Sequence, residues 1–439
     1  MYVTDLEISD LRSFRGPQPI SLDRGDGTYA GWTVFAGRNG AGKSTLLKAL
    51  ALSIVGPLAA RSLAGSFPAW VRKGAATARM ETRLAFDAQL DGFQGSGNTP
   101  SAPYWLGLEW KANPGGSDAV ERLVDNIGLV NRGPWHDAPK GWFVAGYGPY
   151  RHLGPATAEV VQTADPVVAR LINLFNESAT LSEAVDWLKH QHLRALERKR
   201  GAPELRDAVL ALLGDGLLPD GSKVEHVDSD GLWLTRDGVT LPLEQVSDGY
   251  RTATALVVDI VRRLHATYGY LGLRENEGHQ VCPLPGVVLI DEVDAHLHVA
   301  WQQQLGFWLT RRFPAIQFLV TTHSPFICQA ASKRGIIRLP APGEDRQIEH
   351  VDDRLYAAIV NGGADDAVMS ELFGLEHAHS ERAEKLRESV AELEVKVIDG
   401  TASPEELDRY EDGKRQLPEN MGELADRSIR ALLARSNEP

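Results

Sequence analysis

The sequence predicts an α/β fold in which apolar β-strands alternate with helices, followed by a helical C-terminal region. Three observations support this prediction. The strand "WTVFAG" leads directly into a glycine-rich loop and an apolar helix that begins near Ser44. Two later strands, "GVVLIDE" (286–292) and "IQFLVTT" (316–322), end in polar side chains, and a helix separates them. Strands and helices that alternate in this way indicate an α/β sheet.

The elements follow in order along the chain. Strands are predicted at 2–8, 18–22, 31–37, 78–90, 103–112 and 141–151, and those at 78–90 and 103–112 pair as an antiparallel hairpin. The pattern becomes helical from about 155 to 215, which is a short helical insert. Strands return at 223–243, around an Asp-Gly turn. The remaining predictions are a helix at 248–270, a strand at 286–292, a helix from about 298 and strands at 316–322 and 335–339.

The last hundred residues differ in character, so we predict one domain at 1–340 and a helical interaction region at 341–439. Apolar residues at 386, 390, 393 and 397, and a second series from 407 to 417, alternate steps of three and four. Between them, Ser403 is predicted as an N-cap with Pro404 at the first helical position. The pattern predicts an antiparallel helical hairpin, supported by the pairs Glu381–Lys385 and Glu392–Lys396.

Composition limits the functional classes. The formal net charge of −13 argues against a protein that coats nucleic acid nonspecifically. The basic stretch "RALERKR" (194–200) is interpreted as a solvated helix face, with a local basic surface as the alternative. No run of 18 apolar residues and no signal peptide are recognised, so no membrane association and a cytoplasmic location are expected. Cys282 and Cys328 are read as buried, reduced thiols.

The segment "GRNGAGKST" (37–45) fits the pattern of a phosphate-binding loop. It follows a strand and opens a helix, which is the context that this motif requires. Its backbone N–H groups would close around phosphate oxygens, Lys43 would supply a positive charge, and the Ser44 hydroxyl would bind Mg²⁺. The predicted cofactors are ATP and Mg²⁺. The predicted nucleotide-binding residues here are Asn39, Gly40, Ala41, Gly42, Lys43, Ser44 and Thr45.

Acidic and histidine side chains end the two later strands. "VVLIDEVDAHLH" delivers Asp291 as a predicted Mg²⁺ ligand and Glu292 as the predicted base that polarises the attacking water. "FLVTTHSPFI" ends in His323, which is predicted to donate to the transferring phosphoryl group. The two strands are expected to be neighbours in the sheet, because a single helix separates them in sequence.

In combination, these motifs resemble the soluble ATPases of the ATP-binding-cassette (ABC) superfamily, the branch of the chromosome-maintenance (SMC) and RecF proteins. "LRSFRG", "VSDGYRTATALVVDIV", "DEVDAHLH" and "TTHSPFI" resemble the OLD-like ATPases of antiphage systems. The resemblance implies an ABC-type head with an antiparallel β lobe, which forms a head-to-head homodimer around two nucleotides. It implies that Ser247 and Gly249 contact the nucleotide of the opposing head. It also implies that Arg12, Ser13 and Phe14 lie near the adenine, and that Asp294 or His296 lies at the dimer seam.

Two departures from the family leave roles open. The glutamine that the family places after its second core strand has no clear match, and "FVAGYGPYR" would hold that place with Tyr147 or its loop near the metal. No nuclease centre is recognised after His323. The pattern therefore resembles the ATPase subunit of a Septu-like defence system, which implies a separate HNH-type nuclease and contact with nucleic acid through that complex. A RecF-type DNA-binding ATPase and a scaffold that binds ATP without turnover are the alternatives. The acidic C-terminal hairpin is predicted to dock a partner, either the nuclease or a second copy of the ATPase dimer in a higher assembly; the alternative is that it covers an edge of the core.

Overall fold

The structure is a computed structural model that describes residues 1–151, 153, 165–374 and 380–417. In chain order, its strands are β1 Tyr2–Ser9, β2 Pro17–Ser21, β3 Gly31–Ala36, β4 Thr77–Ala85, β5 Tyr104–Lys111, β6 Ala119–Leu123, β7 Val144–Tyr147, β8 Lys223–Val227, β9 Leu232–Arg236, β10 Val239–Pro242, β11 Arg274–Asn276, β12 His279–Val281, β13 Gly286–Ile290, β14 Ile316–Thr321, β15 Ile336–Arg338 and β16 Glu349–His350. Its helices are α1 Lys43–Ala64, α2 Ile127–Arg132, α3 Pro166–Phe175, α4 Ser182–Leu196, α5 Ala202–Gly214, α6 Asp248–Tyr268, α7 Val299–Arg312, α8 Pro325–Cys328, α9 Asp353–Asn361, α10 Ala364–Val368, α11 Glu381–Ile398 and α12 Pro404–Gln416.

A six-stranded sheet lies at the centre of the fold, with its strands in the order β16-β15-β3-β14-β13-β7. All of its pairs are parallel except β15 with β16. The predicted neighbours β13 and β14 are confirmed, with Ile290 opposite Val320. Consequently the chain segments that follow β3, β13, β14 and β7 all leave from the same edge, the carboxyl ends of the strands. Open α/β sheets bind their ligands along such an edge.

In the described residues, three antiparallel sheets accompany the central sheet, and the smallest of them pairs β11 with β12. The first has the order β2-β1-β4-β5-β6 and contains the predicted hairpin of β4 and β5. The second, β10-β9-β8, leads the chain into α6. The predicted α/β fold, with a phosphate-loop sheet, an antiparallel β lobe and a helical insert, is therefore confirmed. The first residues predicted for the insert, 155–164, lie outside the described residues.

Both faces of the central sheet are buried. Alternate residues of β3 face opposite sides: Val34 packs in one apolar cluster with α6 and α7, whereas Phe35 packs in the other with α1. Strands covered on both faces read as continuous apolar runs, which explains "VVLI" and "FLV" in the sequence. Helix α1 is long and apolar enough to cross a membrane by length and composition, but 72% of its most apolar window is buried inside the protein. Its composition is therefore that of a core helix.

Helix α1 bends in its second half, where Gly56 has φ of 84° and is followed by Pro57. Pro57 has no N–H to donate to the carbonyl of Ser53, four residues earlier. The indole of Trp135 donates to that carbonyl instead, at 3.0 Å. A Cβ added to Gly56 would lie 2.7 Å from the same indole. Gly56 therefore supplies both the left-handed backbone and the space that the Trp135 ring requires.

The chain divides into two compact units, Met1–Phe373 and Gly374–Pro439. The predicted boundary after residue 340 thus falls earlier than the observed division. Helices α9 and α10 belong to the first unit because Ile359, Ala367 and Leu372 are fully buried in its core cluster. Tyr356 also donates its hydroxyl to the carbonyl of Ala331.

The second unit contains the predicted helical hairpin, α11 and α12. Ser403 caps α12 in a reciprocal pair with Glu406, as its sequence pattern predicts. Val390 and Leu393 are the buried residues of α11. The Glu381–Lys385 pair is confirmed at 2.6 Å, but the predicted pairing of Lys396 is wrong. Lys396 instead contacts Glu406 on the other helix at 2.6 Å, so this charge joins the two arms.

Candidate nucleotide-binding site

The glycine-rich loop connects the end of β3 with the start of α1, as the motif predicts. Gly42 caps α1 with a φ of 93°, and Gly40 has a φ of 80°. A Cβ at Gly42 would lie 2.4 Å from the Ser13 hydroxyl and 2.8 Å from the Phe14 ring. The absence of a side chain at Gly42 therefore lets the "RSF" segment approach the loop closely. That contact brings Arg12 and Ser13 to the same cleft as the loop.

Lys43 lies inside the loop. Its ammonium group donates to the carbonyls of Gly37 at 2.7 Å and Arg38 at 3.3 Å, so the loop folds around its own cation. Burial lowers the pKa of Lys43, while the negative charges of Asp291, Glu292 and Asp294 oppose this change. The acidic strand end is therefore close enough to Lys43 to affect it electrostatically.

Asp291 and Glu292 follow β13 directly. Asp291 is 2% exposed, and its carboxylate accepts a hydrogen bond from the Thr321 hydroxyl at 2.6 Å. The same hydroxyl oxygen accepts the backbone N–H of Glu292 at 2.8 Å. Glu292 has a left-handed backbone, with φ of 46°, which is uncommon for a residue with a side chain. The strand thus ends in a sharp turn at the predicted base, which lines the cleft.

His323 follows β14 and is exposed beside Glu292 in the cleft. Its backbone N–H donates to the Asp294 carboxylate at 3.3 Å. Partial desolvation of the imidazole within the cleft and the charge of Lys43 lower the pKa of His323, against the raising effect of the three carboxylates. This shift favours the neutral imidazole, in which one ring nitrogen carries a proton that it can donate. Asp294, predicted at a dimer seam, also accepts from the Thr322 hydroxyl.

Two findings concern "FVAGYGPYR". Of the two predicted alternatives, Tyr147 or its loop near the metal, the Tyr147 side chain is excluded, because it is fully buried and its hydroxyl donates to Asp259 of α6 at 2.9 Å. Arg151, which sequence reasoning missed, lies 1% exposed beneath the acidic strand end. Its guanidinium donates to the carbonyls of Asp291 and Glu292 at 2.8 and 3.0 Å. A lone arginine after a Gly-Pro turn carries no local signal of such contacts.

One cleft brings most of the predicted residues together. It is lined by Arg12, Ser13, Asn39, Gly40, Gly42, Lys43, Ser44, Thr45, Glu292 and His323. Ala41 lies in the loop but lines a neighbouring pocket, with Ser13, Phe14 and residues 340–346. Asp291 is buried next to Glu292. The residues from three strand ends and the "RSF" segment thus converge as the sequence predicts.

The structure does not bring Ser247 and Gly249 to this cleft. Ser247 is exposed at the N-cap of α6, and its hydroxyl makes no capping hydrogen bond within the described part of the chain. A Cβ at Gly249 would lie 3.1 Å from the carbonyl of His296, so the start of α6 packs against the segment after Glu292. An exposed helix start of this kind presents N–H groups and a positive dipole end to an anion from outside the chain.

The donor set of the cleft suits ATP with Mg²⁺. A glycine-rich loop at a helix start and one lysine fit a polyphosphate. One hydroxyl and one carboxylate, Ser44 and Asp291, fit Mg²⁺, which binds proteins through one or two such ligands and completes its shell with phosphate oxygens and water. Glu292, the next residue, lines the same cleft, and a carboxylate is a suitable general base for an attacking water. The fold and this site define an ATPase of the ABC type.

Comparisons with known proteins agree with this class. Residues 148–329 match the model of the family "AAA domain, putative AbiEii toxin, Type IV TA system", and residues 5–86 match a second AAA-domain family. The chain is similar to the Septu protein PtuA of Bacillus mycoides, with 24% identity over 337 residues, which is 76% of this chain and 39% of that protein. It is also similar to the Retron Ec83 probable ATPase of Escherichia coli, with 42% identity over 107 residues, 24% of this chain and 18% of that protein.

Among solved structures, the chain is similar to an SMC head bound to the C-winged helix domain of ScpA. The TM-score is 0.47 and the identity 15%, over 81% of this chain and 99% of that one. The chain spans less than half the length of the two curated relatives. The predicted resemblance to a Septu-like, ABC-type ATPase is confirmed by the matches to the family models and to these relatives.

Proposed function

We propose that this chain binds ATP with Mg²⁺ and hydrolyses it as a head-to-head homodimer that acts as a switch in a bacterial antiphage defence complex. The observation that carries the proposal is the convergence of Lys43, Ser44, Glu292 and His323 on one cleft. In the proposed reaction, Lys43 binds the β- and γ-phosphates, and Ser44 and Asp291 hold Mg²⁺. Glu292 orients and deprotonates the attacking water, while His323 donates to the transferring phosphoryl group.

The dimer is proposed because the cleft of one chain lacks the donors that the start of α6 would supply. The exposed hydroxyl of Ser247 and the N–H of Gly249 would contact the γ-phosphate held by the partner. Arg12 and Ser13 would contact the nucleotide near its adenine. The seam would include Asp294 or His296, which is consistent with the packing of Gly249 against the carbonyl of His296.

The similarity to a Septu protein and to a retron ATPase supports a role in defence. We further propose that the chain acts in the cytoplasm and controls a separate nuclease, of the HNH type that the Septu-like resemblance implies. Contact with nucleic acid would then occur through the complex. Both cysteines are free and buried, which suits a reducing compartment.

Nucleotide titration and phosphate release, measured on the purified protein, test ATP binding and ATP hydrolysis respectively. Lys43→Ala removes the charge inside the loop, so ATP binding should be lost, whereas Lys48→Ala, one turn further along α1, should bind normally. Glu292→Gln should keep ATP bound and slow hydrolysis by about 10²–10⁴-fold, the usual contribution of a catalytic base. Unchanged affinity in Lys43→Ala, or full turnover in Glu292→Gln, would contradict the assigned site. Absence of hydrolysis by the unmodified protein would favour a scaffold that only binds ATP.

A further inference from the structure

The backbone of Glu292 adopts a conformation that its side chain disfavours. A left-handed backbone at a residue other than glycine, asparagine or aspartate costs energy and persists only where the surroundings impose it. Here φ is 46° at the residue proposed as the base. The direction of its carboxylate therefore depends on whatever holds the two peptide groups on either side of it.

The N–H side of Glu292 is held by Thr321. This threonine is fully buried at the end of β14, and its hydroxyl oxygen accepts the Glu292 N–H at 2.8 Å. The hydroxyl proton is donated to the carboxylate of Asp291 at 2.6 Å, so the rotamer is fixed by both bonds. The Thr321 side chain of the neighbouring strand β14 thus fixes the position of the Glu292 N–H, where the left-handed turn begins.

The carbonyl side of Glu292 is held by Arg151. One guanidinium nitrogen, Nη1, donates to the carbonyls of Gly148 at 2.7 Å and Asp291 at 2.8 Å. The other, Nη2, donates to the carbonyls of Glu292 at 3.0 Å and Val293 at 3.2 Å. Three successive carbonyls therefore point at one planar, rigid group, which a flexible ammonium could not reproduce.

Charge reinforces this arrangement. Burial lowers the pKa of Arg151 to about 10, and the carboxylates of Asp291, Asp294 and Glu292 oppose that change. A buried cation is costly unless it is paired, and this one lies beneath a cluster of three carboxylates. Its position is therefore tied to the acidic strand end rather than to the surrounding apolar core.

We propose that Arg151 and Thr321 are positioning residues that hold Glu292 in its left-handed conformation, so that its carboxylate faces the water which attacks ATP. This inference rests on the proposed ATPase function. Neither side chain lines the cleft, and neither is assigned a contact with the nucleotide. Their removal should therefore affect the rate of the chemical step and not the affinity for ATP.

The experiment measures kcat and KM for ATP hydrolysis in a small set of variants of the full chain. Thr321→Val keeps the shape of the side chain but removes the hydroxyl, and Thr321→Ser restores the hydroxyl. Arg151→Met removes the guanidinium. Arg170→Met is the matched control, because Arg170 is also a buried arginine but contacts Thr267 and the Phe143 ring instead.

We expect kcat to fall by about 10²-fold in Thr321→Val and Arg151→Met, the usual effect of misplacing a reacting group by about 1 Å. KM should stay unchanged, Thr321→Ser should recover the rate, and Arg170→Met should match the unmodified protein. Normal kcat in Thr321→Val would overturn the inference. So would a need for more Mg²⁺ in that variant, because this would place the effect at Asp291. If Arg151→Met fails to fold, the two threonine variants still decide.

Glu292→Gln separates this inference from the proposed function. Hydrolysis that survives in Glu292→Gln would refute Glu292 as the base, and with it the proposed function of the site. Hydrolysis that is lost in Glu292→Gln but kept in Thr321→Val and Arg151→Met would refute only the positioning roles.

Discussion

Asp259 in the middle of α6 is the buried carboxylate of a network that also contains Arg262, Arg263 and Glu183. Neutralising Asp259 tests how much this buried ion pairing stabilises the fold. Its side chain is 1% exposed and contacts Arg263, which is 10% exposed, and Arg262 at 2.8 Å, which is 21% exposed. The Tyr147 hydroxyl completes the set at 2.9 Å. Asp259→Asn keeps the size of the side chain but leaves two arginines around a neutral group.

The size of the effect follows from this burial. Removing one partner of a buried ion pair costs about 3–5 kcal/mol, because the remaining charge stays desolvated. Arg262 is partly exposed and can be rehydrated, but Arg263 cannot, so we expect a loss of about 3 kcal/mol in the free energy of unfolding. The matched control is Glu183→Gln, which breaks the exposed pair of Glu183 with Arg262 and should cost less than about 1 kcal/mol.

Urea unfolding followed by tryptophan fluorescence measures both variants. Burial alone would raise the pKa of Asp259, but Arg263 and Arg262 outweigh it, and the pKa is lowered. The carboxylate therefore stabilises the folded state fully above the unfolded pKa of about 3.9, and this contribution is lost as the pH falls through the lower folded value. The difference in the free energy of unfolding between Asp259→Asn and the unmodified protein should therefore be constant from pH 5 to 8. If Asp259→Asn loses no more free energy of unfolding than Glu183→Gln, the reasoning about the buried ion pair is refuted.

Ser247→Arg should leave nucleotide binding intact but stop hydrolysis, and mixing it with Lys43→Ala should restore activity, because each heterodimer then keeps one complete site; an inactive mixture would argue against the proposed dimer. Trp135→Phe should lower the free energy of unfolding by about 1 kcal/mol or more, since the carbonyl of Ser53 loses its donor at the bend of α1; equal stability in urea would contradict that role. If the C-terminal hairpin docks the proposed nuclease, truncation at Gly374 should leave a folded chain that hydrolyses ATP but no longer co-purifies with that nuclease, whereas aggregation would show that the hairpin completes the core.

The parts of the site that the sequence predicts correctly are those in which structure and chemistry are local. The glycine-rich loop needs a strand before it and a helix after it, and all three are continuous in sequence. Asp291, Glu292 and His323 end apolar strands, so their arrival at one sheet edge follows from parallel pairing. The capping pattern at Ser403 is local in the same sense, and it also is confirmed.

The sequence-based predictions that fail, or that miss a residue, concern contacts between segments distant in the chain. Tyr147 ends the correct strand, but its side chain faces α6, and nothing in "FVAGYGPYR" encodes that direction. Arg151 gains its contacts from a turn about 140 residues later, which no spacing rule relates to it. Lys396 has a suitable partner on its own helix at Glu392, yet the opposing arm brings Glu406 closer. In each case the deciding neighbour comes from another element.

The pairing of β3 has a consequence for how the protein is made. Its two neighbours in the sheet, β14 and β15, begin about 280 and about 300 residues after β3 ends. Val3 is likewise bound, through its backbone N–H and carbonyl, to the side chain of Gln317. At the usual 5–20 residues per second, a ribosome needs roughly 14–56 seconds to deliver those partners. Throughout that interval, the apolar helix α1 has already been synthesised while strands that build its final surroundings have not. The nascent chain therefore carries a long apolar helix without the native cover of β14. During synthesis, other cellular factors, rather than the native fold, must keep this helix from associating with other chains.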